Sequence, residues 1–173
     1  VEVFAHGALC VCYSGQCLMS SMIGGRSANR GLCAQACRLP YDLHRSDAEG
    51  PLPAPGDHLL SPRDLCTIDL LGDLAAAGVA SLKIEGRMKS PDYVHEVVSV
   101  YREVLDSGQP ATDEHRSRLA EAFSRGFTTA YLQGHRGNEI MSYGRPNNRG
   151  VFIGRVAWVR DGVAALVPET ELH

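Results

Sequence analysis

Five of the six cysteines in this 173-residue chain lie within its first 37 positions, and they are its most chemically capable side chains. Cys10, Cys17, Cys33 and Cys37 are separated by 6, 15 and 3 residues, with Cys12 between the first two and Cys66 farther along. Thiolates are soft ligands that select zinc, copper(I) or iron–sulfur clusters. Structural zinc commonly uses two tight cysteine knuckles, and here only the second pair is tight. A 4Fe-4S cube accepts thiolates from separated loop positions. Spacing alone leaves a cluster, zinc and inert buried thiols open. Cys12 reads as a spare thiol, and Cys66 competes with Cys37 for the fourth place, although the short link from Cys33 to Cys37 costs little closure entropy.

A second group could act on a substrate. Lys83-Ile84-Glu85-Gly86-Arg87 ends a predicted strand, and in a (β/α) barrel the carboxyl ends of strands carry the active site. Glu2 and His6 occupy the first strand in the same way. The plainer readings are a Lys–Glu pair satisfying a strand end and a hydrogen-bonded structural histidine. Arg26, Arg30 and Arg38 interleave with the cysteines; they suit either a rim balancing thiolate charge or a grip on RNA phosphates.

These residues need elements to hold them. Val1–Phe4 reads as a strand, followed by a loop region rich in Gly, Ser and Cys up to Cys37. Residues 44–57 have the composition of an exposed insertion. Ser61-Pro62 predicts a helix start with Leu65, Ile68, Leu71 and Ala75 on one face, ending at Gly78 before a strand at Val79–Ile84. Ser90-Pro91 repeats the signature, and Val94, Val97, Val98, Tyr101, Val104 and Leu105 form an amphipathic stripe ending near Gly108. A third helix starts at Thr112. Val151–Val159 and Val163–Val167, joined by Asp161-Gly162, read as a hairpin.

Strand, helix, strand, helix implies parallel βα units of an α/β fold. The expected division is the carboxy-terminal part of a (β/α) barrel over 1–108, a helical connector over 109–143, and the start of a small all-β module over 144–173. Val1 falls directly on a strand and almost nothing follows the last one, so both ends read as cut. An incomplete barrel would expose strand edges to another chain, giving a homo-oligomer or a partner subunit. The net charge of −3 excludes a global basic field, so any RNA contact must be local. No apolar run reaches the roughly 20 residues of a membrane helix. The clustered cysteines suit a reducing, cytoplasmic setting better than a disulfide scaffold.

The run Glu2-Val3-Phe4-Ala5-His6-Gly7-Ala8-Leu9-Cys10, followed by Gly15-Gln16-Cys17-Leu18-Met19-Ser20, resembles the signature of the collagenase-like peptidase family (family U thirty-two). The resemblance continues through Asn29–Arg38, Asp64-Leu65-Cys66, Lys83–Ser90 and Arg145-Pro146-Asn147-Asn148-Arg149-Gly150. It implies an oxygen-independent, iron–sulfur-dependent hydroxylase of RNA bases or of the quinone ring. The cluster would be held by Cys10, Cys17, Cys33 and Cys37, with Cys66 as the alternative fourth ligand. The Arg-Pro-Asn-Asn-Arg-Gly stretch points to 5-hydroxylation of the tRNA wobble uridine, with prephenate as co-substrate. The alternatives are a collagenase-like protease and a cluster-bearing scaffold without turnover. The chain contains neither a His-Glu-x-x-His motif nor a Gly-x-Ser-x-Gly elbow.

Overall fold

The computed structural model describes residues 1–169, so the last four positions of the expected β module lie outside the described residues. Four strands form one mixed sheet: β1 (Glu2–Ala8), β2 (Asp64–Cys66), β3 (Ser81–Ile84) and β4 (Phe127–Thr128). Their spatial order is β3-β1-β2-β4. β3 pairs with β1 and β4 with β2 in parallel, while β1 and β2 are antiparallel. The helices are α1 (Met19–Gly24), α2 (Leu71–Ala76), α3 (Pro91–Ser107) and α4 (Asp113–Ala122). None of the described helices is long and apolar enough to cross a membrane.

α3 forms where the sequence predicts it. The Ser90 hydroxyl accepts from the Tyr93 N–H at 3.2 Å, Pro91 opens the first turn, and Gly108 closes the helix at φ 62°. Val97, Val100, Tyr101 and Val104 are buried against Ala5, Ile68 and Leu119. Each such side chain contributes about 1.5–3 kcal/mol. Val94, Val98 and Leu105, also on the predicted stripe, remain exposed on its flank. α4 starts at the expected cap, with the Thr112 hydroxyl accepting from the His115 N–H at 3.3 Å.

The helix expected from Ser61 is a correction. The chain instead runs extended through β2, makes a short 3-10 turn at Ile68–Leu70, and only then forms α2. The cause lies outside the segment: Arg38 donates to the Ser61 hydroxyl at 2.8 Å, and Arg125 draws in the Asp64 carboxylate. With its hydroxyl taken, Ser61 caps nothing. Cys66 therefore sits in a strand, not in a helical first turn.

The predicted hairpin forms as β5 (Gly154–Arg160) and β6 (Val163–Pro168). Asp161 and Gly162 both have positive φ, at 50° and 77°, as a tight hairpin turn requires. Ahead of it, the Asn148 side-chain carbonyl accepts from the Ser124 N–H at 2.9 Å, and the Arg149 N–H donates to the Ser124 carbonyl at 2.8 Å. The Arg-Pro-Asn-Asn-Arg-Gly stretch thus folds back onto the residues that carry Arg125.

His6 lies in the core with 1% of its surface exposed, between Tyr101 and Phe127. The Tyr101 hydroxyl donates to the Ala5 carbonyl at 2.9 Å and accepts from the Thr67 N–H at 3.0 Å. Its one proton is committed, so the His6 Nδ1–H is the donor across their 3.3 Å contact. That tautomer makes Nε2 an acceptor, and it has no partner among the described residues. Burial is the main cause that lowers the His6 pKa to about 4, with Lys89 assisting and Asp64 opposing.

The Asp64–Arg125 pair is buried as deeply, with side-chain exposures of 3% and 5%. The carboxylate accepts from the Arg125 backbone N–H at 2.8 Å and from its guanidinium at 2.6 Å. Breaking such a pair leaves an uncompensated buried charge. Asp64→Asn should therefore destabilise the protein by about 3–5 kcal/mol in denaturant unfolding, and a loss below about 1 kcal/mol would show that the pair is solvated. The histidine supplies a second test. Because its pKa falls from 6.5 unfolded to about 4 folded, the unfolded state binds the extra proton as pH drops. Its contribution is complete above pH 6.5 and shrinks down to pH 4, by up to about 3 kcal/mol. Subtracting the pH–stability curve of His6→Phe from that of the wild type should isolate this slope; parallel curves would contradict it.

Candidate functional site

β1 delivers the chain to the site. Gly7 has φ 120°, and a Cβ there would lie 2.6 Å from the Glu85 carbonyl oxygen. Only glycine permits that approach. The Glu85 N–H donates to the His6 carbonyl at 2.8 Å, so the ends of β1 and β3 meet just before Cys10.

Beyond β1 the loop folds into a cavity of about 270 Å³ whose lining includes Cys10, Cys17, Cys33 and Cys37. Ser20, buried at the start of α1, accepts from the Ala34 N–H at 3.0 Å and so fastens the Cys17 arm to the Cys33 arm. The Gln35 N–H donates to the Cys33 sulfur at 3.3 Å. Burial pushes the Cys37 thiol pKa up, with Arg38 opposing and Cys10, Cys33 and Cys17 adding to the rise. Among the described residues, no group of three or more His, Cys, Asp or Glu side chains is gathered as a metal ion would need. The four thiols surround a space and do not meet at a point. Cys12 does not line it. Cys66 lies elsewhere, in a cavity with Asp69 and Arg116, and burial raises its pKa.

A second cavity of about 430 Å³ adjoins the first, and the two share Cys10 and Ser14. Its wall includes Phe4, His6, Leu9, Leu65, Glu85 and Tyr131. The structure therefore brings His6, Glu85 and the first cysteine together. Glu2 and Lys83 are not part of this wall: Glu2 accepts from the Ser81 hydroxyl at 3.0 Å, and the Lys83 ammonium stands 4.8 Å from the centroid of the Phe4 ring. The Arg87 backbone N–H donates to the Glu85 carboxylate at 2.8 Å, and its guanidinium donates to the Gly31 carbonyl of the cysteine loop. Gln35 and Met88, both in the left-handed region at φ 56° and 59°, touch across the same junction. Two such residues cost about 1–3 kcal/mol each, and they sit where the two loops join.

The arginines separate into two kinds. Arg26 and Arg30 are exposed on the cysteine loop. Arg38 is turned inward, donating to the Leu9 carbonyl at 3.0 Å and to the Ser61 hydroxyl at 2.8 Å. The sequence suits Lys89, together with Arg87, to a grip on a carboxylate or phosphate, and gives no role to Arg125. Lys89 is half-buried 5.2 Å from the Tyr93 ring centroid and also lies over Phe123; burial, Arg125 and Arg38 bring its pKa down to about 8 against the pull of Asp64. Arg125 has no signal in its own neighbourhood, because its partner Asp64 is 61 positions away.

Comparison with known proteins agrees with the motif reading. The chain is 42% identical over 175 residues to the 23S rRNA 5-hydroxycytidine C2501 synthase of Escherichia coli (strain K12), covering 92% of this chain and 26% of that protein. It is 39% identical over 154 residues to tRNA hydroxylation protein P1 of Bacillus subtilis (strain 168), covering 83% and 36% respectively. It is also 37% identical over 184 residues to a protein named Collagenase from Porphyromonas gingivalis (strain ATCC BAA-308 / W83), covering 100% and 44%. The chain thus spans about a quarter to a half of the length of these relatives. No solved structure matches it. A family model described as Peptidase family U32 matches residues 1–142, the stretch that contains both cavities, and the chain belongs to that family.

Proposed function

We propose that this chain is the cluster-bearing part of an oxygen-independent RNA-base hydroxylase. The observation that carries the reading is the pair of adjoining cavities, one ringed by Cys10, Cys17, Cys33 and Cys37, the other holding Glu85 and His6. Relatives named for hydroxylation of 23S rRNA and tRNA support the substrate class. Zinc suits the geometry less well, since Zn–S bonds of about 2.3 Å require thiolates to close on one point. In a 4Fe-4S cube each thiolate binds a different iron, which matches thiols arranged around a space.

When bound, such a cluster supplies one-electron transfer beside the substrate. The chain's own residues do the rest. Phe4, Leu9 and Leu65 offer apolar surface to a base, and the Glu85 carboxylate, aligned by the Arg87 N–H, can take a proton from a reacting ring position. His6, neutral and tied to Tyr101, orients the wall. Arg26 and Arg30, exposed beside the cavity, are placed to meet phosphates. The specific reaction we assign is 5-hydroxylation of the tRNA wobble uridine with prephenate as oxygen source, in the cytoplasm. The mixed sheet then belongs to a (β/α) barrel completed by further chain or by a partner subunit.

A peptidase reading has one observation in its favour, the relative named Collagenase. It needs an activated nucleophile or a metal-bound water. His6 bonds Tyr101 and activates neither a serine nor a cysteine.

Anaerobic reconstitution of the intact protein with iron and sulfide separates these readings. Replacing Cys10, Cys17, Cys33 or Cys37 singly by Ser should abolish iron retention and RNA hydroxylation, while Cys66→Ser should keep both. Mass spectrometry of nucleosides would show the gain of one oxygen. Equal iron binding by Cys37→Ser, with loss in Cys66→Ser, would move the fourth ligand, and peptide hydrolysis by the iron-free protein would sink the hydroxylase. Glu85→Gln should lower turnover about 100-fold with an unchanged melting temperature. A variant that unfolds instead would assign Glu85 a structural role.

A further inference from the structure

Arg38 does more than a surface arginine. Its guanidinium donates to the Leu9 carbonyl at 3.0 Å, to the Ser61 hydroxyl at 2.8 Å and to the Pro62 carbonyl. Its own carbonyl accepts from the His58 Nδ1–H at 3.0 Å. Leu9 precedes Cys10, and Arg38 follows Cys37. One side chain therefore fastens the first and last cysteines of the set to the buried Ser61-Pro62 wall. One terminal nitrogen of the planar fork serves Ser61 and Pro62 and the other serves Leu9.

The same group places a permanent positive charge beside thiols. Arg38 interacts with Cys37 and Cys10 and is repelled by Arg125. Arg125 is itself paired with the buried carboxylate of Asp64. The positive charge beside Cys10 and Cys37 is therefore that of Arg38. Charge and hydrogen bonding around the sulfurs are what set a cluster's reduction potential.

We infer that Arg38 is a positioning residue for the iron–sulfur centre, holding Cys10 and Cys37 at their spacing and compensating the negative charge that the centre gains on reduction. This rests on the cluster reading. It also removes Arg38 from the phosphate-gripping set, leaving Arg26 and Arg30.

Two variants of the intact protein separate the parts. Arg38→Lys keeps the charge but offers one nitrogen in place of the two that reach Leu9 and Ser61-Pro62; Arg38→Gln removes the charge. After reconstitution with ferrous iron and sulfide, the midpoint potential of Arg38→Gln should move to more negative values, while that of Arg38→Lys should stay near the wild type. In the iron-free protein, both should show faster amide hydrogen exchange over residues 9–12, with exchange in α3 unchanged as the control for folding. Equal potentials in all three iron-loaded proteins, or unchanged exchange at 9–12, would overturn the inference while the cluster stands. A wild type that takes up no iron would instead end the cluster reading itself.

Discussion

The phenolic hydroxyl of Tyr101 joins three pieces of chain that are distant in sequence, and the geometry of the site depends on that junction. It donates to Ala5 in β1, accepts from Thr67 just past β2, and contacts His6, all from the middle of α3. The Thr67 N–H also donates to the Ala5 carbonyl at 3.0 Å, so the phenol closes a three-membered set with a backbone bond that already joins the two segments. β1 is held against the helix at the residue before His6, and two residues later Gly7 turns the strand end against Glu85. The cysteine loop leaves from that fixed point. A shift of β1 would carry Cys10 away from Glu85 and separate the cavities that share it.

Electrostatics gives the arrangement its second constraint. Arg38, Lys89 and Arg125 approach one another around Asp64, and three cations against one carboxylate should repel. Burial itself is the main cause that lowers the Lys89 and Arg38 pKa values to about 8 and about 10, with repulsion from neighbouring cations adding to it. A protein selected only for stability gains little from such a cluster, since apolar side chains of similar volume would serve as well. Under the proposed cluster reading, anionic sulfurs in the cysteine cavity would offset part of that repulsion on Arg38.

How much of this was legible in the sequence depends on how local each determinant is. α3 and α4 are fixed by caps and periodicity within their own turns, and both form as the pattern predicts. The hairpin turn at Asp161-Gly162 is equally local. The Ser61-Pro62 signature misleads because its hydroxyl is claimed by Arg38, 23 positions earlier. Arg38 is misleading in turn: among cysteines and two other arginines it looks like one of a set, and only burial distinguishes it. The cysteines themselves were legible as a group because a loop without periodicity has no other reason to hold them. The Asp64–Arg125 pair and the inward turn of Lys89 needed the tertiary structure.

The family match ends at residue 142, and the hairpin beyond it exposes Val156, Val159, Val163 and Val167 to solvent. A two-stranded hairpin with apolar residues on its surface is marginal in water unless something packs against it. Everything that could carry the chemistry, from Cys10 to Glu85, lies within the matched part. Relatives named for different substrates align across that part, so a shared cysteine cavity cannot by itself choose between a tRNA, a ribosomal RNA and a protein. The second cavity, which adjoins it, has its own border. In this chain that border is Phe4, Tyr131 and Leu132, whose large side chains stand 51%, 64% and 45% exposed at its mouth. Exposed aromatic and aliphatic groups at the rim of a cavity are where a substrate, or the chain that closes over it, has the most apolar surface to cover.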